Sequence, residues 1–308
     1  MPRSVRNGSL PGYELFIGLR YLRAKRRNGF LSLITVISAL GIALGVAALI
    51  TVLSVMNGFQ SELRDRILGV TSHVTVTGYQ GLESDWQSVI ERAKGVPNVQ
   101  AGAPYVRQQG MVTQSGAVSG VMVRGVLPGW EEQVSDVVTN MKRGSLDDLE
   151  AGGFGLILGQ ALANNLGVGV GDAITLVSPS GQVTPAGMLP RMKRFTVAGV
   201  FDAGMYEYNS GLVYAHMADV QKLYRMEGKI SGVRLQLAAP MEAPRVAESL
   251  RADLGGTYFV RDWTQRNRSF FRALQTEKTA MFVILSLIVM VAAFNIVSSL
   301  VMLVNEKR

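Results

Sequence analysis

The residue types that carry covalent or metal chemistry are scarce in this chain, and where they occur their spacing does not fit. No cysteine is present, which removes thiolate nucleophiles, cysteine zinc sites and disulfides together. The two histidines, His73 and His216, stand far apart and form no pair of the kind by which one helix turn holds zinc. No Walker A sequence appears, so no nucleotide is cradled by a P-loop. Gly167, Gly169 and Gly171 in GVGVGD imitate half of a dinucleotide fingerprint, but they lie between a helix and a strand, the wrong order for a Rossmann unit, and read as a turn. No serine, lysine or carboxylate shows the surroundings of an activated nucleophile. What remains is binding. The stretch SPSGQVTPAGMLPRMK, Ser178 to Lys193, holds Pro179, Pro185 and Pro190 with Gly181 and Gly187. Such a stretch makes ladder bonds poorly and is expected to project as a loop, either a partner-binding arm or an ordinary long hairpin.

The elements that must position this loop follow from composition. Of 308 residues 48% are hydrophobic and 18% charged, against roughly 25% charged in a soluble domain, and the mean hydropathy is +0.21. Lipid therefore solvates part of the chain. The apolar excess sits in two uncharged runs, Leu31 to Met56 and Ala280 to Val304. Each is long enough to cross a hydrocarbon core of about 30 Å. The first is too long for a signal-peptide core and reads as an uncleaved anchor. Gly41 and Gly45 give it a spacing that permits close helix approach.

Residues 1–30 carry seven basic side chains and one acid, Glu14, a balance of +6 that places them in the cytoplasm. Residues 57–279 hold 22 basic and 21 acidic residues, near neutral as a translocated domain can be. Arg261, Arg266, Arg268, Arg272 and Lys278 on the outer side of the second run oppose this orientation; the N-terminal cluster is tighter and acts first. The net charge of +8 thus lies beside a span and does not indicate nucleic-acid binding. YELFIGLRYLRAKRRNGF near the N-terminus combines Phe16, Leu19 and Leu22 with a basic face, which suits a helix on an anionic membrane surface or a topology signal alone.

Between the runs, strand-like SHVTVTG, helical DWQSVIERAKG and strand-like VQAGAPYVRQQGMVTQ and AVSGVMVRGV open the outer domain. KISGVRLQL, a helix in PMEAPRVAESLRADLG with Pro240 just before its start and Gly255 past its end, and TYFVRDW close it. This predicts an α+β layer interrupted by an insertion from about Gly144 to Gly228. The insertion reads as a short helix GQALANNLGV, strands GDAITLVSP and RFTVAGVFD, and a strand running into a helix, GLVYAHMADVQKLY. Helical stripes continue the spans outward: Met56, Phe59, Leu63 and Ile67 after the first, Trp263, Phe270, Leu274 and Met281 before the second. They serve either as packing surfaces or, with Val52, as a path for a lipidic substrate.

Three stretches, FIGLRYLRAKRRNGFLSLITVISALGIALGVAALITVLSVMNGFQSELRDRILG, TPAGMLPRMKRFTVAGVF and DWTQRNRSFFRALQTEKTAMFVILSLIVMVAAFNIVSSLVMLVNEK, strongly resemble the lipoprotein-releasing ABC permease family of Gram-negative inner membranes, LolC and LolE, within the FtsX-like and MacB-like permease superfamily. The resemblance runs over essentially the whole chain. It implies a multi-pass inner-membrane subunit with a MacB-like periplasmic core. Its implied partners are a cytoplasmic ABC ATPase dimer that holds the ATP, a second permease subunit in a homo- or heterodimer, triacylated lipoproteins, and a soluble periplasmic carrier. No cofactor or catalytic residue is expected in this chain. The family's carrier-binding hook corresponds to Thr184, Pro185, Ala186, Gly187, Met188, Leu189 and Pro190, with Arg191, Lys193 and Arg194 following as a basic pad. The hook is LolC-like and the first span closer to LolE, so one subunit serving both roles is an open alternative. Family members carry four spans, whereas Arg308 follows directly on the second, so the chain is expected to be a fragment or to lack the second half of the membrane domain. The rival readings are a MacB-like exporter or FtsX-like mechanotransmitter, which should lack the proline-rich hook, a two-span periplasmic sensor, and an intramembrane enzyme, disfavoured because neither span carries an ionisable residue.

Overall fold

The computed structural model describes residues 29–70, 72–78, 85–135, 137, 139–184 and 187–305. The basic N-terminal segment and Pro185–Ala186 lie outside the described residues. In chain order the elements are helix α1 (Gly29–Val70), strand β1 (Val74–Gly78), helix α2 (Trp86–Lys94), the long strands β2 (Val99–Gln114) and β3 (Ala117–Val126), a single turn α3 (Pro128–Glu131), β4 (Met141–Arg143), β5 (Gly155–Gly159), α4 (Gln160–Leu166), β6 (Ala173–Thr184) and β7 (Gly187–Phe201). There follow α5 (Tyr206–Gly211), β8 (Leu212–His216), α6 (Met217–Tyr224), β9 (Gly232–Leu237), α7 (Ala243–Leu254), β10 (Tyr258–Asp262), α8 (Trp263–Arg266) and α9 (Arg268–Asn305). The chain divides into two compact units, one holding the helix residues up to Gly58 and from Leu274 on, the other Phe59–Ala273.

In the helical unit the stretches long and apolar enough to cross a membrane are Ala39–Glu62 and Arg272–Ser298. Their large apolar side chains stand bare: Leu44 is 70% and Phe294 67% exposed. A helix that is apolar all round and uncovered by protein matches lipid rather than water. Neither helix stops where its apolar run stops. The first continues unbroken past Met56 to Val70, and the second has already begun at Arg268, before Ala280.

The second unit is α+β, as the sequence suggests. Its first sheet has the order β10–β1–β9–β2, every neighbour antiparallel. With α2 and α7 on one face this is the split β-α-β arrangement of ferredoxin-like folds. The reason is visible along each strand: Val74, Val76, Val233, Leu235 and Val260 alternate onto one face and bury against Val89, Ile90 and Ala93 of α2 and Val246, Ala247 and Leu250 of α7. Gly255, with φ +75°, ends α7 as its type and place predict.

The second sheet begins inside β2. From Val106 onward β2 leaves β9 and pairs with β3; β3 then pairs in parallel with β8, β8 with β5, β5 in parallel with β7, β7 with β6, and β6 returns to β2. These pairings close a ring of six strands. The interruption of the first sheet thus starts near Val106, earlier than the Gly144 at which the sequence suggests it, because β3 is shared with β8 and not with β1 or β9. Strand β5, GLILG, is buried along its whole length, with Leu156 and Leu158 in one core cluster and Ile157 in another. Glycines 167 and 171 adopt φ +65° and +94° between α4 and β6, so GVGVGD is a turn.

Candidate functional site

The stretch expected as a loop is a two-stranded arm. β6 makes its last described pairing with β2 at Val177, opposite Met111. Beyond that point β6 and β7 continue with each other, Ser178 opposite Arg191, then Gln182 opposite Leu189, Val183 opposite Met188 and Thr184 opposite Gly187. From Ser178 to Thr184 this spans roughly 20 Å at about 3.3 Å per residue. The expectation of a loop is corrected here, and the prolines explain how strands survive them. The register shifts between Ser178 and Gln182, so Pro179, Ser180 and Gly181 stand against Pro190 in a bulge where ladder bonds are not required. Pro185, with Ala186, occupies the tip outside the described residues.

The arm is held at its root by α6. Tyr224 Oη donates to the Gln109 carbonyl at 2.8 Å and also bonds the Ser178 side chain. Ser178 is fully buried. Gly110 makes this possible, since a Cβ there would come within 2.7 Å of Tyr224 Oη and 3.0 Å of the Val177 carbonyl. Burial pushes the Tyr224 phenol up to about 12, so it stays a donor through the alkaline range. Lys193 packs its ammonium over the Phe154 ring, 4.1 Å from the centroid. Phe154 is in turn fixed by Asp219, whose buried carboxylate accepts from the Gly152 and Phe154 amides at 2.8 and 2.9 Å.

Of the sequence-predicted hook residues, Leu189 is 60% exposed and Pro190 is exposed beside it. Thr184, Gly187 and Met188 are placed in the ladder by their backbone. The three basic residues that follow do not make one surface. Arg191 and Lys193 alternate onto one side of β7, Arg191 half-buried with its Nε enclosed and Lys193 on Phe154, whereas Arg194 is exposed on the other side. Met192 shares that other side and is 64% exposed; it was hidden in sequence among three cations, and only the two-residue period of a strand reveals it. On the proposed lipid path, Val52 and Phe59 are more than half exposed, Met56 and Leu274 are half-buried, and the side chains of Leu63 and Phe270 lie outside the described residues. At Gly41 and Gly45 an added Cβ would meet nothing within 4 Å, so no described part of this chain uses the close approach they permit.

Among the described residues no three His, Asp or Glu side chains converge as metal ligands. The model of the MacB-like periplasmic core domain matches residues 35–253, which defines the class of protein: a chain built around that domain, with two helices long and apolar enough to cross a membrane. Its likeness to a lipoprotein-releasing system transmembrane protein LolC of Neisseria meningitidis serogroup B is 47% identity over 296 residues, 96% of this chain and 71% of the relative. A LolE of Haemophilus influenzae is 32% identical over 95% of this chain and 71% of its own length. The periplasmic region of MacB from Actinobacillus actinomycetemcomitans aligns at 12% identity with a TM-score of 0.42, covering 67% of this chain and 94% of that one. The chain belongs to the LolC/LolE family of lipoprotein-releasing permease subunits, and it is not the ATPase of such a system.

Proposed function

We propose that this chain is the inner-membrane permease subunit of an ATP-driven complex that lifts lipoproteins out of the membrane, and that its β6–β7 arm receives the periplasmic carrier. ATP is hydrolysed by a cytoplasmic ATPase dimer, and a second permease subunit, identical or related, completes the membrane part, with Gly41 and Gly45 open to a helix from that subunit. The chain's own work is mechanical and adhesive. The two apolar helices sit in the bilayer, and on the first the exposed Val52 and Phe59 with the half-buried Met56 line the way along which the acyl chains of a triacylated lipoprotein travel.

The observation that carries the carrier reading is the arm itself: two paired strands running on from the ring, stiffened by prolines, with Leu189 and Met192 exposed. Apolar side chains on a strand whose backbone is already paired lose little entropy on docking. The reading is tested by photo-cross-linking from a photoreactive residue at Leu189 in the membrane-embedded complex. A covalent adduct with the periplasmic carrier, lost when Pro185→Asp is added, is the expected result. Undiminished cross-linking in the Pro185→Asp background, or none in the parent, overturns it.

A further inference from the structure

The face of the first sheet turned away from α2 and α7, covered at its centre by α3 and Val134, carries more positive charge than its described partners balance. Val233 and Leu235 of β9 point into the core, so Arg234 between them points to the opposite face, at the sheet centre opposite Thr75 of β1 and Ala103 of β2. It is 2% exposed. One terminal nitrogen pairs with the fully buried Glu131 of α3, while its Nε and Nη1 are buried with no partner among the described residues. Three more guanidinium groups gather on this face. Arg266 Nη2 donates to Thr75 Oγ1 at 2.7 Å, Arg107 lies two residues beyond Tyr105 on β2, and Arg124 is the cross-strand partner of Arg107. The Tyr105 ring flanks Arg234 at 5.8 Å. It also walls a groove of about 430 Å³ together with Arg107, Thr77, Ser231 and Pro179 at the arm's root.

Among the described residues the one ion pair made by any of these four arginines is that with Glu131. Four like charges and one carboxylate leave the face short of anions in a partly desolvated place, where repulsion is poorly screened. The strain is mutual: burial foremost, then Arg124 and Arg266, hold Arg234 below the usual guanidinium range, and burial with Arg124 and Arg107 does the same to Arg266. Of the four, Arg107 lines the groove, Arg266 reaches the same face through Thr75 and Arg234 is buried at the sheet centre; guanidinium forks gathered in this way bind tetrahedral oxyanions through paired hydrogen bonds.

We infer that this face is a phosphate-binding site in which Arg234, Arg266 and Arg107 hold the group, with Tyr105 and Thr77 lining its entrance. The same chemistry is offered by free phosphate and by a phospholipid headgroup. The test uses the full chain in a neutral detergent, following its thermal midpoint while inorganic phosphate or glycerophosphoglycerol replaces chloride at constant ionic strength. A saturable rise with phosphate alone assigns the free ion; a rise with the diester, with or without phosphate, assigns the headgroup. Arg266→Gln and Arg107→Gln should each weaken the response at least tenfold, measured as the rise above that variant's own midpoint in chloride. No saturable rise with either anion, or variants that respond as the parent does, overturns the site.

Discussion

Gln182 of β6 pairs with Leu189 of β7 on the far side of a bulge that absorbs Pro179 and Pro190. That one pairing converts a proline-rich linker into a stiff arm, and its stiffness is set at the root rather than at the tip.

Tyr224 is the first test of that root. Replacing it by phenylalanine removes the donor to the Gln109 carbonyl and the acceptor of the Ser178 hydroxyl and should cost about 1 kcal/mol of stability, read by denaturant unfolding. Amide exchange should quicken in Ala173–Thr184 and Gly187–Phe201 more than in β9. The phenol's folded value, up to about 12, lies above its unfolded value near 10. The parent therefore holds this stabilisation below pH 10 and loses it as pH rises from about 10 towards 12, a slope the Tyr224→Phe variant should lack.

Asp219 anchors the next layer. It is 1% exposed and accepts from two backbone amides, one of them that of Phe154, whose φ of +49° is unusual for a bulky side chain. Asp219→Ala should destabilise the domain by roughly 1–3 kcal/mol, since two backbone amides lose a buried charged acceptor. Lys193→Ala, which removes the nearer of the two cations over the Phe154 ring and leaves Lys222, should cost about 0.5–1 kcal/mol. Thermal unfolding of both variants distinguishes the two.

His73 sets a lower pH boundary. Its Nδ1 accepts the Leu237 amide at 3.0 Å, and burial lowers its pKa. Below about pH 6.5 the unfolded chain takes up a proton that the folded chain refuses, so stability is full above that value and falls as pH drops through it, by up to about 1.4 kcal/mol per unit. His216, an N-cap acceptor for the Ala218 amide and also lowered by burial, adds to the same slope. Chemical denaturation between pH 5 and 8 should show the slope in the parent and its loss in His73→Asn with His216→Asn.

How much of this the sequence discloses depends on locality. β2 and β3 are legible residue for residue, because alternation and turn signals act within a few positions. β5 is not, since a strand buried on both faces shows no alternation in GLILG. The ring was out of reach because its closure joins Met111 to Val177 and Met122 to Leu212, contacts that no local pattern encodes. In the arm, proline content located the element correctly but argued against strands; only the pairing shows that Pro179 and Pro190 share one bulge. Tyr224 and Gly110 left no signal at all, one being an ordinary aromatic at a helix end and the other a glycine inside a strand.

The central claim is that the arm receives the carrier to which lipoprotein is handed, and transfer itself tests it most directly. Proteoliposomes containing the assembled complex and a labelled lipoprotein are given ATP and soluble carrier, and label in the soluble fraction is followed over time. The paired variant Leu189→Asp with Met192→Asp should keep its ATPase rate and lose most of the transfer, at least tenfold. Transfer at the parent's rate by that variant, with its arm folded, would contradict the account.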